Sequence, residues 1–286
     1  MMAAQILSGT QFLEDEKVRL KDRISKLERA PGLGTILVGA DPNSQSYVRR
    51  KIKACEDIGI VSHHFELDDQ ASQNDVLKMV NLLNLDKNVD AFIVQLPLPK
   101  QCNEEQVLLA IDPQKDADGL HPVNLGKLVM GVQAPRPCTP LGIQALLQDN
   151  GIELAGKHVV IVGRGLTIGR PLVNLLTLKE AGANATVTVV HTGTPDISLF
   201  TKQADVVIAA VGVPNIVTPD MIKDGAVLIS AGMTFGEGRK LLPDISEECE
   251  EKASWVTPRI GGVGPTTIAM LLRNTVAASE KTQHDL

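Results

Sequence analysis

Tyr47 and Lys51 are the two residues whose types and spacing best suit proton chemistry. They stand four positions apart in SQSYVRRKIKACEDIGI, a segment that predicts a helix, so their side chains share one helix face. A phenol beside an ammonium can lower the proton affinity of the amine or relay a proton, as an acid or base near neutral pH requires. Since RRKIK holds several cations, a solvated lysine on an exposed face is the alternative.

Two other segments also place polar residues where they could bind a ligand. In VQLPLP, Gln95 ends a strand at the carboxyl edge where open α/β sheets bind ligands, although the two prolines also suit a rigid turn. KDADGLHPVN predicts a loop with Asp116 and Asp118, and one carboxylate there can accept two N–H donors from a heterocycle. His121 is a lone candidate ligand, so we predict a structural role for it and no metal site.

The segment GKHVVIVGRGLTIGRP predicts a phosphate-binding turn. A short β-branched run precedes Gly163, Gly165 and Gly169, and an apolar run that predicts a helix follows Pro171. In such a strand, loop and helix, free backbone N–H groups can hold a phosphate. The spacing GxGxxxG is one residue longer than the commonest dinucleotide motif, so an ordinary tight turn is the alternative.

The next predicted strand indicates which dinucleotide would bind. A cofactor with a free ribose 2′-hydroxyl usually meets an acidic residue about 20 residues past the glycines. The strand instead ends in HTGT, and Arg164 in the loop with Thr192 at the strand end suit a 2′-phosphate. The sequence therefore predicts NADP before NAD.

Composition and charge exclude several classes of protein. The 286 residues are 43% hydrophobic but only 2% aromatic, which suffices for full aliphatic cores in one large or two ordinary domains. The net charge of −6 with no basic run argues against binding to nucleic acid or to an anionic membrane surface. The N-terminal segment has no signal-peptide pattern, and no apolar stretch is long enough to span a bilayer, so we expect a cytoplasmic protein.

The four cysteines, Cys55, Cys102, Cys138 and Cys249, are far apart and form no CxxC pair. Neither a zinc site nor a disulfide framework is therefore indicated. We predict reduced thiols that serve only in packing.

The alternating pattern of elements predicts an α/β protein with two domains. Residues 1–148 would form an N-terminal α/β domain, to which a C-terminal helix in 266–286 returns, and residues 149–265 a Rossmann-like domain. The helix at 139–149 would be capped by Thr139 with Pro140 at its first position. Helices are predicted at 12–29, 44–58, 74–85, 104–111, 139–149, 172–178 and 266–278, and strands at 34–38, 60–67, 91–95, 158–162, 185–190, 205–211, 226–231 and 254–256.

Eight ordered motifs together resemble the bifunctional methylenetetrahydrofolate dehydrogenase/cyclohydrolase family, the FolD type. They are SQSYVRRKIKACEDIGI, VQLPLP, KDADGLHPVNLGKL, RPCTPLGIQALL, GRGLTIGRP, ATVTVVHT, ADVVIAAVG and TPRIGGVGPTTIAMLLRNT. The resemblance runs from about residue 34 to residue 275. It implies a homodimer with tetrahydrofolate derivatives as substrates and NADP as cofactor. Such an enzyme would act in one-carbon metabolism and purine biosynthesis. The implied reactions are oxidation of 5,10-methylenetetrahydrofolate to the methenyl compound and its hydrolysis to 10-formyltetrahydrofolate.

The resemblance also carries over residue by residue. It places Lys51, Tyr47 and Gln95 on the family's catalytic positions. Substrate binding would use these three together with Leu96, Asp118, Gly261 and Gly262, with Asp118 on the pterin. Cofactor binding would use Gly163, Arg164, Gly165, Ile168, Gly169, Arg170, His191, Thr192 and Thr194.

The sequence departs from the family pattern at several of these segments. Gly165 stands where the family usually has a polar side chain, Gly193 where it has a cation, and Ile260 where it has a proline. A catalytically silent nucleotide-binding homologue is therefore the alternative function. A simple NAD-linked hydroxy-acid dehydrogenase ranks last, because an Arg/His catalytic pair is lacking.

Overall fold

The computed structural model describes residues 3–236 and 241–284, which form two compact units. The small-sheet unit comprises Glu14–Cys138 and the chain from Ile268 onward. The large-sheet unit comprises the described residues up to Leu13 and Thr139–Thr267. The sequence-based boundaries put the N-terminal segment and residues 139–148 in the other domain, whereas these segments make their contacts with the large sheet.

Helices occur between most successive strands of the described chain, as the alternating pattern predicted. They are α1 (Gly9–Ile24), α2 (Pro42–Ile58), α3 (Gln73–Leu85), α4 (Glu104–Ala110), α5 (Pro122–Met130), α6 (Cys138–Asp149), α7 (Gly169–Leu176), α8 (Ser198–Thr201) and α9 (Val263–His284). The strands are β1 (Gln5–Ile6), β2 (Gly32–Val38), β3 (Val61–Leu67), β4 (Ala91–Val94), β5 (His158–Val162), β6 (Thr186–Val190), β7 (Val206–Ala209), β8 (Val227–Ser230), β9 (Met233–Phe235), β10 (Leu241–Pro243) and β11 (Trp255–Val256).

The small-sheet unit is built on three parallel strands in the order β3-β2-β4. Every residue of β2 is buried because helices cover the sheet, which is why its sequence is a continuous apolar run. Gly34 pairs with His63 on one side and Phe92 on the other, and a Cβ at Gly34 would lie 2.7 Å from the Phe92 Cβ. Side chains thus pack closely against the Gly34 backbone at the centre of this sheet.

The large-sheet unit contains six parallel strands in the order β1-β11-β8-β7-β5-β6. At its centre, Val160 of β5 pairs with Thr188 and Val207 and is fully buried. Gln5 pairs with Trp255 at the edge, which ties the start of the chain to this unit. A fold of two α/β domains, one with a Rossmann-like parallel sheet, is confirmed.

Several elements differ from the sequence-based prediction: α1 ends at Ile24, and α8, β1, β9 and β10 were not predicted. Three further helices differ as follows. Helix α6 begins at Cys138, so Thr139 lies inside the helix and is not its N-cap. The Thr139 hydroxyl is instead 2.9 Å from the Thr267 hydroxyl. Helix α9 extends beyond the predicted range at both ends, since ASEKTQH contains good helix formers and Gln283 bonds to the backbone of Arg29. Helix α5 was missed because HP at its start suggested a loop.

Membrane insertion is not indicated by any described helix. Within 3–236 and 241–284, no helix is both long enough and apolar enough to cross a bilayer.

Candidate active site and cofactor loop

Helix α2 places Lys51 on the buried side of the small-sheet unit. The helix starts at Asp41, whose carboxylate accepts the Ser44 N–H at 2.7 Å, and it stops at Gly59 in the left-handed conformation. Only 5% of Lys51 is exposed, because it shares a helix face with Val48 and Cys55. The alternative of a solvated lysine is therefore wrong.

Lys51 contacts both of the other residues predicted to work with it. Its Nζ donates to Gln95 Oε1 at 3.1 Å and lies 4.6 Å from the centre of the Tyr47 ring. The Gln95 side-chain amide donates in turn to the Leu96 carbonyl at 2.7 Å, which fixes the Oε1 toward the amine. The peptide bond between Leu96 and Pro97 is cis. A buried amine, an amide oxygen and a phenol ring are thus brought together.

Burial perturbs the acid–base properties of this cluster. It lowers the pKa of Lys51, and the Asp118 carboxylate and the thiols of Cys138 and Cys55 only partly oppose this effect. The pKa of Asp118 is raised, chiefly by burial, although Lys51 acts in the opposite direction. Asp118 is half-buried. Each group therefore favours the charged form of the other, while burial drives both toward neutrality.

Asp116 holds the loop that carries Asp118. Its buried carboxylate accepts the Gly119 N–H at 2.9 Å, the His121 N–H at 2.8 Å and the Asn124 side-chain amide at 2.9 Å. His121 caps α5 through Nδ1, which accepts the Val123 N–H, so its predicted structural role is confirmed. Among the residues that the structure describes, no cluster of three or more His, Cys, Asp or Glu could hold a metal ion.

Cys138 belongs to the same site, which the sequence analysis missed. All four cysteines are free and buried, as predicted. The Cys138 thiol donates to the Ala117 carbonyl at 3.2 Å and also contacts the Asp118 side chain, while burial raises its own pKa well above the ordinary value. Its sequence signal was its place in the motif RPCTPLGIQALL, which was not connected with the site.

The glycine loop between β5 and α7 has the predicted strand, loop and helix order. Gly163 has a φ of 115° and donates its N–H to the Val190 carbonyl at 2.8 Å, which extends the pairing of β5 with β6 into the loop. A Cβ at Gly169 would overlap the Gly163 carbonyl oxygen, whereas a Cβ at Gly165 would meet no atom within 4 Å. The loop is tightly folded at its two ends and open at Gly165, and α7 has no side-chain cap at its N-terminus.

Cations and hydroxyls surround this open part of the loop. Arg164 and Arg170 are exposed, and Arg164 makes no ion pair within the described part of the chain. At the end of β6, His191 accepts the Gly193 N–H and Thr194 accepts the His191 N–H, which leaves Thr192 on the outside of the turn. Ile168 is half-buried at the start of α7.

These residues fit a phosphorylated dinucleotide. The loop offers a helix start without a side-chain cap, open space at Gly165 and the exposed guanidinium of Arg164. The nearest acidic residue after β6, Asp196, accepts the Ser198 N–H at 2.8 Å and is thereby committed to its own turn.

Gly261 and Gly262 lie in the large-sheet unit and contact the start of α1. Gly261 has a φ of 81°, and its carbonyl accepts the Thr10 N–H at 3.0 Å. A Cβ at Gly9 would overlap the Gly262 carbonyl oxygen. The structure therefore gives these glycines a packing contact of their own, in a different unit from Lys51.

A Rossmann-like parallel sheet with a glycine loop is typical of nicotinamide-dependent oxidoreductases, and this chain joins it to a second α/β unit with a buried lysine–glutamine pair. Residues 7–118 match the family described as tetrahydrofolate dehydrogenase/cyclohydrolase, catalytic domain, and residues 137–283 match the NAD(P)-binding domain of that family. The chain belongs to the tetrahydrofolate dehydrogenase/cyclohydrolase family.

Relatives and solved structures agree over nearly the whole chain. A bifunctional protein FolD from Syntrophotalea carbinolica is 54% identical over 98% of this chain and 97% of its own length. The bifunctional FolD crystal structure from Campylobacter jejuni is 41% identical, with a TM-score of 0.94 over 98% of this chain and 100% of that chain. The Trypanosoma brucei FolD structure, complexed with NADP cofactor and an inhibitor, is 36% identical, with a TM-score of 0.93 over 99% of both chains.

Proposed function

We propose that the buried Lys51–Gln95 pair is the centre at which this protein carries out the two reactions of its family. The chain is an NADP-dependent methylenetetrahydrofolate dehydrogenase and methenyltetrahydrofolate cyclohydrolase. It oxidises 5,10-methylenetetrahydrofolate to the methenyl cation and hydrolyses that cation to 10-formyltetrahydrofolate. The observation that carries the proposed centre is a lysine amine held 3.1 Å from an amide oxygen in a buried position.

The hydrolytic step has the greater need for Lys51. Water must lose a proton as it attacks the methenyl carbon, and a ring nitrogen must gain one as its bond to that carbon breaks. A neutral amine can accept the first proton and return it to the nitrogen, and burial lowers the pKa of Lys51 in the direction that favours the neutral form. Gln95 would orient the amine and Tyr47 would pack against it and the substrate.

Asp118 would bind the pterin end of the substrate. Its carboxylate can accept two N–H groups from the amino-pyrimidine edge, and Lys51 nearby favours the ionised form that this requires. Leu96 would line the same site beside Gln95. Gly261 and Gly262 complete the proposed substrate contacts by resemblance to the family, and they belong to the large-sheet unit.

The glycine loop would hold the cofactor, which accepts a hydride from the substrate's methylene carbon when bound. Gly163, Gly165 and Gly169 let the loop approach a pyrophosphate, and the exposed Arg164 suits a 2′-phosphate. The remaining proposed cofactor contacts are Ile168, Arg170, His191, Thr192 and Thr194.

Three further properties are proposed from the family resemblance. The small-sheet unit would correspond to the folate-binding catalytic domain and the large-sheet unit to the NADP-binding domain. The protein would be a cytoplasmic homodimer. Its product would supply one-carbon units, including those of purine biosynthesis.

A spectrophotometric assay tests this function directly. Purified protein given 5,10-methylenetetrahydrofolate and NADP should form NADPH, and added methenyltetrahydrofolate should lose its absorbance faster than in buffer alone. NAD in place of NADP should support a lower rate. Binding of NADP without any turnover would contradict the enzyme and favour the silent homologue instead.

A further inference from the structure

A buried carboxylate of the large-sheet unit, that of Asp244, has no part in the site described above. Asp244 follows β10 and is 0% exposed. Its Oδ2 accepts the N–H groups of Val211 at 2.7 Å and of Gly212 at 3.1 Å, whereas its Oδ1 has no hydrogen-bond partner among the residues that the structure describes. An unpartnered carboxylate oxygen in a protein interior is rare and costly, which indicates a function for Asp244 beyond folding.

Asp244 fixes the loop of residues 210–213, the β7 loop, which follows β7 at the carboxyl edge of the sheet. Hydrogen bonds to a charged acceptor are roughly twice as strong as neutral ones. The Thr234 hydroxyl also donates to the Gly212 carbonyl of this loop, at 2.6 Å. The Ser230 hydroxyl, at the end of β8, accepts the Asp244 N–H at 2.9 Å. Asp244 therefore connects the β7 loop to the end of the neighbouring strand.

The β7 loop packs directly against the glycine loop. A Cβ at Gly163 would lie 2.6 Å from the Ala210 carbonyl oxygen and 2.9 Å from a side-chain carbon of Val211. Val211 and Val213 are 38% and 47% exposed, although both are apolar. Exposed apolar side chains beside a phosphate-binding turn suit contact with the rest of a bound dinucleotide. The β7 loop thus forms the side of the proposed cofactor site that faces away from β6.

The strand order indicates which half of a dinucleotide would lie at the β7 loop. Strand β5 lies between β6 and β7, and β8 follows β7. In such sheets a dinucleotide binds across the carboxyl edge where the strand order reverses, with its pyrophosphate at the glycine loop. The 2′-phosphate is proposed to bind at Arg164 and Thr192, on the β6 side. The nicotinamide half would then extend over β7 and β8.

We propose that Asp244 is a positioning residue for the nicotinamide half of NADP, because its carboxylate fixes the β7 loop against the glycine loop. This inference rests on the proposed function, since it takes the glycine loop as the cofactor site. Being fully buried, Asp244 acts through the β7 loop and not by contact with the cofactor. Loss of its carboxylate should therefore weaken the binding of one half of the cofactor and spare the other half.

Asp205 provides a matched control at the opposite edge of the same sheet. Its carboxylate also accepts a backbone N–H, that of His158 at 2.8 Å, and it forms an ion pair with Lys223. His158 is the first residue of β5, and Asp205 directly precedes β7, so this contact lies at the amino ends of the strands. Substitution of Asp205 or of Asp244 by alanine removes the same charge and a carboxylate that accepts backbone N–H groups.

The test compares the binding of NADP with that of adenosine 2′,5′-bisphosphate, which lacks the nicotinamide half. In calorimetric titrations, Asp244→Ala should weaken NADP binding about tenfold and leave the bisphosphate affinity unchanged. Asp244→Asn should stay within about threefold of the wild type, because its amide oxygen can still accept both N–H groups. Asp205→Ala should lower the melting temperature but change neither affinity.

A second variant tests the β7 loop without touching the carboxylate. Thr234→Val removes the hydrogen bond to the Gly212 carbonyl and keeps the shape of the side chain. It should weaken NADP binding roughly threefold, again without an effect on the bisphosphate. Hydrolysis of methenyltetrahydrofolate needs no hydride acceptor and depends on the other unit, so it should stay at the wild-type rate in every folded variant.

The outcomes separate this inference from the proposed function. Unchanged NADP affinity in Asp244→Ala or, should that variant not fold, in Thr234→Val would overturn the role of Asp244. An equal loss of affinity for NADP and for the bisphosphate would also overturn it, since it would indicate general damage to the unit. If the wild-type protein binds neither ligand, the proposed cofactor site itself fails.

Discussion

The Lys51 cluster and the glycine loop use opposite physical environments. At the cluster, burial removes water from Lys51 and shifts the pKa values of Lys51 and Asp118 toward the neutral forms. At the loop, Arg164 and Gly165 are exposed, so the charge of Arg164 stays hydrated until a ligand binds. Proton transfer needs a group that titrates near neutral pH, whereas binding of a phosphate needs a permanent cation.

This difference determines how substitutions should act. A change in the buried cluster should reduce a rate or remove a substrate contact, because each group there has fixed partners. Changes at the open loop should alter cofactor affinity and should depend on salt concentration, because exposed charges are screened. The following substitutions test that contrast in order of decreasing expected effect.

Lys51→Met should have the largest effect. It keeps the length of the side chain but removes the proton acceptor, so hydrolysis of methenyltetrahydrofolate should fall by about 10²- to 10⁴-fold. NADP-dependent oxidation should remain measurable, since hydride transfer depends on positioning by many contacts. Both rates are measured on one preparation, by methenyl absorbance and by NADPH formation.

Stability serves as the control for that variant. An apolar side chain in place of a buried amine is often neutral or stabilising, so the melting temperature should not fall. Hydrolysis at nearly the wild-type rate would remove Lys51 from the mechanism.

Asp118→Ala should weaken folate binding next most strongly. Loss of charge-assisted hydrogen bonds to the pterin costs about 1.5 to 3 kcal/mol, or roughly 10- to 100-fold in affinity. NADP affinity should stay the same in a calorimetric titration. Asp116→Asn is the contrasting variant: because that carboxylate accepts three N–H groups of its own loop, it should mainly lower the melting temperature. Unchanged folate affinity in Asp118→Ala would give Asp118 a structural role only.

Gly169→Ala and Gly165→Ala form a matched pair within the loop. The added Cβ at Gly169 overlaps the Gly163 carbonyl, so this variant should be destabilised by about 1 to 3 kcal/mol. At Gly165 the added Cβ meets no atom within 4 Å, and the change should stay within about 0.5 kcal/mol. Thermal unfolding of both proteins measures the difference. Equal melting temperatures would mean that the loop is not folded tightly at Gly169.

Arg164→Gln should act on cofactor choice, with a smaller effect on binding than Asp118→Ala. Removal of one exposed contact to a 2′-phosphate should raise the KM for NADP about tenfold and leave that for NAD almost unchanged. The NADP effect should shrink at high ionic strength. An equal loss for both cofactors would show that Arg164 does not distinguish them.

The sequence predicted those features that depend on local geometry. The strand before the glycine loop matches its predicted range, α2 ends at Gly59 as predicted, and Tyr47 and Lys51 share a face because they are four residues apart. The resemblance of ordered motifs predicted the family. Periodicity alone also separated the two α/β parts, although it misplaced their boundaries.

The burial of Lys51 could not be predicted, because it depends on the packing of residues that are distant in the chain. Lys51, Gln95, Asp118 and Cys138 come from four separate segments, and only their packing shows that the lysine is buried. Cys138 stands in the motif RPCTPLGIQALL but was assigned to packing alone. For the same reason, the contact of Gly261 with Thr10 was not foreseen.

The titration of Lys51 is the most direct test of the claim that burial makes it a base. The amine can be followed by NMR in protein labelled at the lysine side chains, with Lys51→Met used to assign its signal. We predict a pKa below the ordinary value of 10.5, and a rate of methenyl hydrolysis that rises with pH through the same value, because the neutral amine is the active form. A Lys51 pKa at or above 10.5, or a hydrolysis rate that falls as Lys51 loses its proton, would contradict this account.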